Sequence, residues 1–236
     1  MRKTFSILTV AALAAAGLWA EADSGVTADD AWHMLAAGNE RFARELAVHP
    51  HVDGERQRVL SHKQEPFAAV LACTDSRVAP EIIFDQGLGD LLVLRSPAEL
   101  VKDDAQVGAL ENAVSESGVH LIVVLGHSHC DELRDAVRNA GKDGAQGALA
   151  ADLKPALDEA GDRVGGLSGS DLAREAIEKN VLYQMKQILL QSPLIRSKVE
   201  DGSVKLIGGV YQLENSRVQW LGEHPSEKAI EEGKRP

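Results

Sequence analysis

Three apolar runs stand out in the middle of the chain. Residues 67–73, 91–95 and 119–125 are of strand length and consist almost entirely of apolar side chains. Runs of this kind are typical of strands buried on both faces, as in a parallel sheet. Residues 106–117, which lie between the second and third runs, carry apolar side chains at helical spacing. Strand, crossover helix and strand form the βαβ pattern, which predicts an α/β fold.

Helical patterns flank these runs on both sides. Thr27 begins a helix, with Asp30 in the capping-box position, and Gly38 is the expected terminator. The other predicted elements are helices at 39–46, 56–62 and 171–191, loops and short helices within 140–169, and strands at 204–211 and 218–221. Neither an internal repeat nor an interdomain linker is visible. We therefore predict a single domain with a mostly parallel central β-sheet flanked by helices.

The two ends of the chain differ from this domain. Residues 1–22 combine a short basic start, an apolar stretch shorter than the roughly 20 residues that cross a bilayer, and small residues at a cleavage position. This order predicts a signal peptide and a periplasmic or secreted protein, with no membrane association after the signal peptide is removed. The α/β domain is assigned to residues 23–222, and residues 223–236 form a charged tail.

Composition and charge narrow the classes of function. Hydrophobic residues make up 44% of the 236 residues and charged residues 26%, which excludes wholesale disorder. The net charge of −11 argues against a nucleic-acid partner, because no basic surface offsets the repulsion of the phosphates. The acidic excess is otherwise interpreted as surface charge that keeps the protein soluble.

The only two cysteines lie at the ends of two apolar runs. Cys73 opens the segment 73–77 (CTDSR), and Cys130 closes the segment 127–130 (HSHC). In open α/β sheets, ligands gather at the carboxyl ends of the strands. Two thiolates and an imidazole are ligands that zinc prefers, and three protein ligands leave a fourth position for water. Spacing alone leaves a zinc site, a disulfide and two buried thiols as open alternatives.

Together the two segments resemble the signature of the β-carbonic anhydrase family. The pattern Cys-x-Asp-Ser-Arg precedes His-x-x-Cys, and residues 38–42, 64–67, 78–90 and 180–211 also resemble bacterial members in order and spacing. The resemblance covers about residues 30–222. It implies a mostly parallel sheet flanked by helices, built as a homodimer or higher homo-oligomer.

The resemblance also implies a role for each matching residue. The residues that match the ligands of one Zn²⁺ per chain are Cys73, His127 and Cys130. Asp75 and Arg77 match the paired aspartate and arginine of the family. Gln64 matches a glutamine that hydrogen-bonds the substrate, often across a dimer interface. The neighbouring His129 is expected to face solvent, since the family spacing selects His127 as the ligand.

The implied function is that of a zinc-dependent carbonic anhydrase. Such an enzyme hydrates carbon dioxide reversibly to bicarbonate and a proton by zinc-bound hydroxide, which exists at neutral pH because zinc lowers the pKa of bound water to about 7. Asp75 would accept a hydrogen bond from this hydroxide, and Arg77 would keep Asp75 ionised through two N–H bonds. Gln64 would donate to the bicarbonate oxygen. Released from Arg77, Asp75 could instead occupy the fourth zinc position.

Several residues depart from the family pattern, among them Asn112, where a tyrosine is common. Asp131 and Glu132 follow the second cysteine, where members usually carry glycine, and Pro97 and Glu99 alter the loop after the second strand. Asp131 could cap the next helix, whereas two acids near two thiolates would raise the pKa of zinc-bound water. These departures keep open a carbonyl sulfide or carbon disulfide hydrolase and a catalytically silent zinc-binding scaffold, beside an exported disulfide protein.

Overall fold

The computed structural model describes residues 25–139, 141–164 and 169–224. The helices are α1 (Ala28–Ala43), α2 (Gly54–Leu60), α3 (Pro80–Ile83), α4 (Asp104–Ser115), α5 (Asp131–Asn139), α6 (Ala145–Val164), α7 (Gly169–Gln191) and α8 (Pro193–Glu200), with one 3₁₀ turn at Pro97–Glu99. The strands are β1 (Ala68–Cys73), β2 (Leu91–Ser96), β3 (Leu121–His127), β4 (Lys205–Gln212) and β5 (Arg217–Glu223). The predicted signal peptide and residues 225–236 of the predicted tail lie outside the described residues.

One five-stranded sheet, in the order β2-β1-β3-β4-β5, forms the centre of the molecule. The first four strands pair in parallel, and β5 runs antiparallel to β4. Parallel neighbours need a crossover connection, and helices supply it between β2 and β3 and between β3 and β4. The predicted α/β fold with a mostly parallel sheet is therefore confirmed.

Both faces of the sheet are covered, which explains the uninterrupted apolar runs. Along β1, Leu71 and Cys73 point into a core shared with α4, α6, α7 and α8, whereas Val70 and Ala72 belong to a core on the opposite face with α1 and α3. Successive side chains of a strand point to opposite faces. A strand with a core on each side is therefore apolar along most of its length, and every residue of β1 and β3 is buried.

Helix α1 runs through the glycine that was expected to end it. The Thr27 hydroxyl accepts a hydrogen bond from the Asp30 amide at 3.1 Å, as the cap predicted. Gly38, however, lies inside the helix, so its assignment as terminator is wrong. A Cβ at Gly38 would lie 1.8 Å from the carbonyl oxygen of Phe84. Glycine is needed there because the backbone after α3 approaches the helix closely.

The prediction of loops and short helices for 140–169 is also wrong. Helix α6 takes up most of this segment and contains Pro155. Its alanines favour the helix, and Leu153 and Ala156 are fully buried. Tertiary packing thus outweighs the glycines and aspartates that suggested loops. In the part of the chain described here, no helix is long and apolar enough to span a bilayer.

Candidate metal centre

The fold brings the two cysteine-containing segments to one edge of the sheet. Cys73 is the last residue of β1 and His127 the last residue of β3, and these strands are adjacent and parallel. Beyond β3, His129 adopts a left-handed backbone conformation with φ of 55°. This turn carries the chain to Cys130, directly before α5.

Four side chains converge at this edge. Their ligand atoms all lie within 4.8 Å of one another, and the residues are Cys73, His127, Cys130 and Glu132. The first three are buried, and both cysteines are free thiols. The structure therefore places the three predicted ligands together and adds a carboxylate.

The imidazole of His127 is oriented for metal binding. Its Nδ1 lies 2.9 Å from the carbonyl oxygen of Ser128, an acceptor that fixes the proton on Nδ1. The unprotonated Nε2 is then buried without a hydrogen-bond partner among the described residues. A buried polar atom without a partner is costly, and a metal ion would satisfy it. Two sulfurs and this nitrogen match the ligand preference of Zn²⁺.

The two thiols are unequal in the metal-free cluster. The pKa of Cys73 is lowered because the Cys130 thiol donates a hydrogen bond to it and the His127 ring lies close. The pKa of Cys130 is raised, since it is the donor of that bond and is buried. The cluster therefore already stabilises one thiolate, the form in which cysteine binds metals.

Asp75 and Arg77 form a bidentate ion pair beside the cluster. Arg77 donates from Nε to Oδ1 at 2.9 Å and from Nη2 to Oδ2 at 2.5 Å. These bonds lower the pKa of Asp75 to about 2. Asp75 Oδ2 lies 3.9 Å from His127 Nε2. Arg77 also donates to the carbonyl oxygen of His129 at 3.2 Å, so it joins the two ligand-bearing segments.

Arg95 is a supporting residue that the sequence did not reveal. From the end of β2 it donates to the carbonyl oxygen of Cys73 at 2.9 Å and to that of Asp75 at 2.5 Å. These bonds fix the conformation of the turn that carries Cys73 and Asp75. Only the register of β2 against β1 places Arg95 there, and a lone arginine in the sequence carries no such signal.

Glu132 is the second residue at the site whose position the sequence did not predict. It was expected only to add negative charge, yet its Oε2 lies 3.4 Å from Cys130 Sγ and 3.7 Å from Cys73 Sγ. Its Oε1 lies 3.5 Å from the Thr74 hydroxyl. Asp131, by contrast, is half exposed and pairs with Arg134 at 2.7 Å. The two acids after Cys130 thus have different environments.

Glu99 is a buried acid behind the cluster. Its Oε1 accepts a hydrogen bond from Asn180 Nδ2 at 2.8 Å, and its Oε2 has no partner among the described residues. Burial, aided by the negative charge of Cys73, raises the pKa of Glu99 to about 8. The altered loop after β2 therefore places a carboxyl group inside the protein.

Two residues weighed from the sequence lie outside the cluster. His129 is exposed, and its Nε2 lies 2.6 Å from a carboxylate oxygen of Glu214. Gln64 is exposed between α2 and β1, where it lines a surface pocket with Leu60 and Leu88. Among the described residues of this single chain, Gln64 makes no hydrogen bond to the four cluster residues.

The fold and site define an α/β protein with a Cys₂His metal centre at the carboxyl edge of its sheet. The sequence model of the carbonic anhydrase family matches residues 68–218. Carbonic anhydrase 2 of Mycobacterium tuberculosis is 35% identical over 189 residues, which cover 79% of this chain and 89% of that protein. The carbonic anhydrase of Mycolicibacterium smegmatis is 34% identical, with 80% and 91% covered. The chain belongs to the carbonic anhydrase family.

Solved structures specify the class within the family. The β-carbonic anhydrase CcaA superposes with a TM-score of 0.66 at 27% identity, covering 81% of this chain and 91% of that one. The β-carbonic anhydrase of Coccomyxa superposes with a TM-score of 0.67 at 25% identity, covering 82% and 88%. This chain is a β-class member.

Proposed function

We propose that this protein is a zinc-dependent carbonic anhydrase, which hydrates carbon dioxide reversibly to bicarbonate and a proton. The observation that carries the proposal is the buried Nε2 of His127, which has no hydrogen-bond partner among the described residues and lies beside the sulfurs of Cys73 and Cys130. Zinc bound by three protein ligands supplies hydroxide at neutral pH, because it lowers the pKa of water in the fourth position to about 7.

Asp75 and Arg77 orient the attacking oxygen. Because the pKa of Asp75 is held near 2, its carboxylate stays ionised at neutral pH and acts as a hydrogen-bond acceptor rather than as a proton carrier. An acceptor that takes a hydrogen bond from the attacking O–H directs a lone pair of that oxygen towards carbon dioxide. Arg77 is the positioning residue, since its two bonds fix both oxygens of Asp75.

A homo-oligomer is the proposed assembly. Large apolar side chains are exposed on α2, on the loop before it and around α3, and they are Leu46, Val48, Val52, Val59, Ile82 and Leu88. These segments are joined, since the Leu88 amide donates to the carbonyl oxygen of His51 at 3.0 Å. Exposed apolar residues on joined segments favour a protein interface. Gln64 lies beside them and would act on the substrate of the partner subunit.

Export is the proposed route to the site of action. The basic start, apolar stretch and small residues of segment 1–22 support this proposal. Expression of the full chain in a Gram-negative bacterium should yield a mature protein in the periplasm. Its N-terminal sequence should begin close to residue 23, and an intact N-terminus in the cytoplasm would contradict the proposal.

Stopped-flow carbon dioxide hydration tests the proposed activity. Purified protein with one zinc per chain should accelerate hydration well above the buffer rate. The Cys73→Ser variant should lose both zinc and activity, because one of three ligands is removed. A zinc-loaded wild-type protein with no rate above buffer would refute the activity, even though the family assignment would stand.

A further inference from the structure

The carboxylate of Glu132 lies where a fourth ligand would be. Its Oε2 is 3.4 Å from Cys130 Sγ and 3.7 Å from Cys73 Sγ, and His127 completes the group within 4.8 Å. Zinc holds thiolate at about 2.3 Å and carboxylate oxygen at about 2.1 Å, which at the tetrahedral angle separates sulfur from oxygen by about 3.6 Å. Both observed separations are close to this value.

The surroundings leave Glu132 free to bind a metal. Among the described residues, the groups within reach of its carboxylate are the two cysteine sulfurs and the Thr74 hydroxyl, the last at 3.5 Å. Cysteine binds a metal as thiolate, so neither sulfur donates a hydrogen bond once a metal is bound. A carboxylate so close to two thiolates is then repelled unless a cation compensates it. No Lys, Arg or His in the described ranges forms an ion pair with Glu132.

Asp75 differs from Glu132 in this respect. Arg77 donates three hydrogen bonds to Asp75, two from the guanidinium and one from the backbone amide at 2.9 Å. Moving Asp75 to the metal would break charge-assisted bonds, whereas Glu132 would lose only weak ones. Between Asp75 and Glu132, the carboxylate available as a ligand is therefore that of Glu132.

We propose that Glu132 is a fourth protein ligand, whose carboxylate occupies the position that water takes during hydration. The proposal rests on the proposed function for the identity of the metal. It implies a closed Cys₂HisGlu centre that opens by ligand exchange, in which one carboxylate oxygen leaves and one water molecule enters without transfer of a proton. Glu132 would therefore set the fraction of molecules that are open to water and to anions.

Azide titration of the cobalt-substituted protein, followed by the visible d–d bands, tests this proposal. In the wild type azide must displace Glu132, whereas Glu132→Gln leaves a neutral and poorer ligand. We expect the variant to bind azide about tenfold more tightly, a change of about 1.4 kcal/mol. Zinc affinity, measured by competition with a chromophoric chelator, should fall by about tenfold or more in the same variant.

Two controls separate ligation from charge. Asp131→Asn removes one negative charge from the neighbouring exposed residue and should leave both affinities within about twofold of the wild type. Glu132→Asp keeps the charge but shortens the side chain by one methylene, and it should behave like Glu132→Gln. If Asp131→Asn shifts the affinities as much as Glu132→Gln, or if Glu132→Asp matches the wild type, the effect is one of charge and the proposal is overturned.

The result also distinguishes this proposal from the proposed function. A wild type that binds zinc and hydrates carbon dioxide, with d–d bands and azide affinity unchanged in Glu132→Gln, overturns only the role of Glu132. A wild type that binds neither zinc nor cobalt overturns both.

Discussion

Among single residues, Asp75 is kept ionised by its neighbour Arg77. Arg77 holds the pKa of this carboxyl near 2, so Asp75 accepts hydrogen bonds throughout the neutral range. Asp75→Asn replaces one acceptor oxygen by a donor while leaving the three Cys and His ligands in place. We expect zinc content to be unchanged and kcat/KM for hydration to fall about 100-fold or more.

Metal analysis and stopped-flow hydration on the same sample measure this effect. The matched control is Asp131→Asn, which changes a half-exposed acid that pairs with Arg134. A zinc-loaded Asp75→Asn protein with wild-type kcat/KM would show that the pair only caps the turn after β1.

Glu99 makes the metal-free protein sensitive to pH. Its folded-state pKa of about 8 lies above the ordinary value of 4.5, so the neutral acid is favoured by folding. Its stabilising contribution is complete below about pH 4.5 and is lost as the pH rises towards 8. Glu99→Gln lacks this titration. Between pH 5 and pH 8, we therefore expect the free energy of unfolding of the wild type to fall more steeply than that of Glu99→Gln, by about 1.4 kcal/mol per pH unit.

Urea denaturation with a chelator present, at each pH unit from 5 to 8, measures the difference. Glu116→Gln, a change at an exposed acid at the end of α4, should follow the wild type. Parallel pH profiles for wild type and Glu99→Gln would contradict the assignment of a raised pKa.

Residue types at strand ends were the best sequence signal for the site. Cys73 and His127 end apolar runs, and parallel strands bring such ends together, so their meeting was predictable. The positions of Arg95 and Glu132 could not be predicted from the sequence. They depend on strand register and on the rotation of α5, both of which are set by tertiary packing rather than by local pattern.

Among the helices, replacing either of two glycines by alanine should change the stability of the protein in opposite directions. At Gly38 of α1 a Cβ would meet the carbonyl oxygen of Phe84, whereas at Gly108 of α4 no atom of the described residues lies within 4 Å of a Cβ. Both replacements by alanine gain helix propensity. We therefore expect Gly108→Ala to stabilise the protein by about 0.5–1 kcal/mol, and Gly38→Ala to destabilise it by about 1–3 kcal/mol.

Thermal and urea unfolding of the two variants measure these values, and each serves as the control for the other. Equal shifts of the same sign would show that α1 and the backbone after α3 do not approach as closely as the structure indicates.

Strands were easier to predict than helices, and the three central strands most of all, because nearly every residue of β1, β3 and β4 is buried. All five strands lie where the sequence pattern predicted, with bounds shifted by a few residues. The predictions for Gly38 and for segment 140–169 were wrong, because glycine by itself favours helix ends and loops. In α1 the preference is overridden by a close backbone contact, and in α6 by burial of an apolar face.

For the whole molecule, the metal links parts that are distant along the chain. The ligands come from the end of β1, the end of β3 and the segment before α5, so an ion bound by all three stabilises the folded state only. A ligand that binds only the folded state, at 1,000 times its Kd, adds about 4 kcal/mol. We expect chelation of zinc to lower the Tm of the wild type and readdition to restore it.

Differential scanning calorimetry with and without chelator measures this shift. The double variant Cys73→Ser/Cys130→Ser should have the same Tm with and without chelator. A wild type whose Tm is indifferent to chelator, after metal analysis has verified removal of zinc, would contradict the structural role of the ion.

An anomalous difference map at the zinc absorption edge, from crystals of the purified protein, shows whether these residues bind zinc. We expect one peak per chain, within about 2.3 Å of both sulfurs and about 2.1 Å of Nε2, at Cys73, His127 and Cys130. A disulfide between the two cysteines, or a zinc peak elsewhere with these three side chains unliganded, would contradict it.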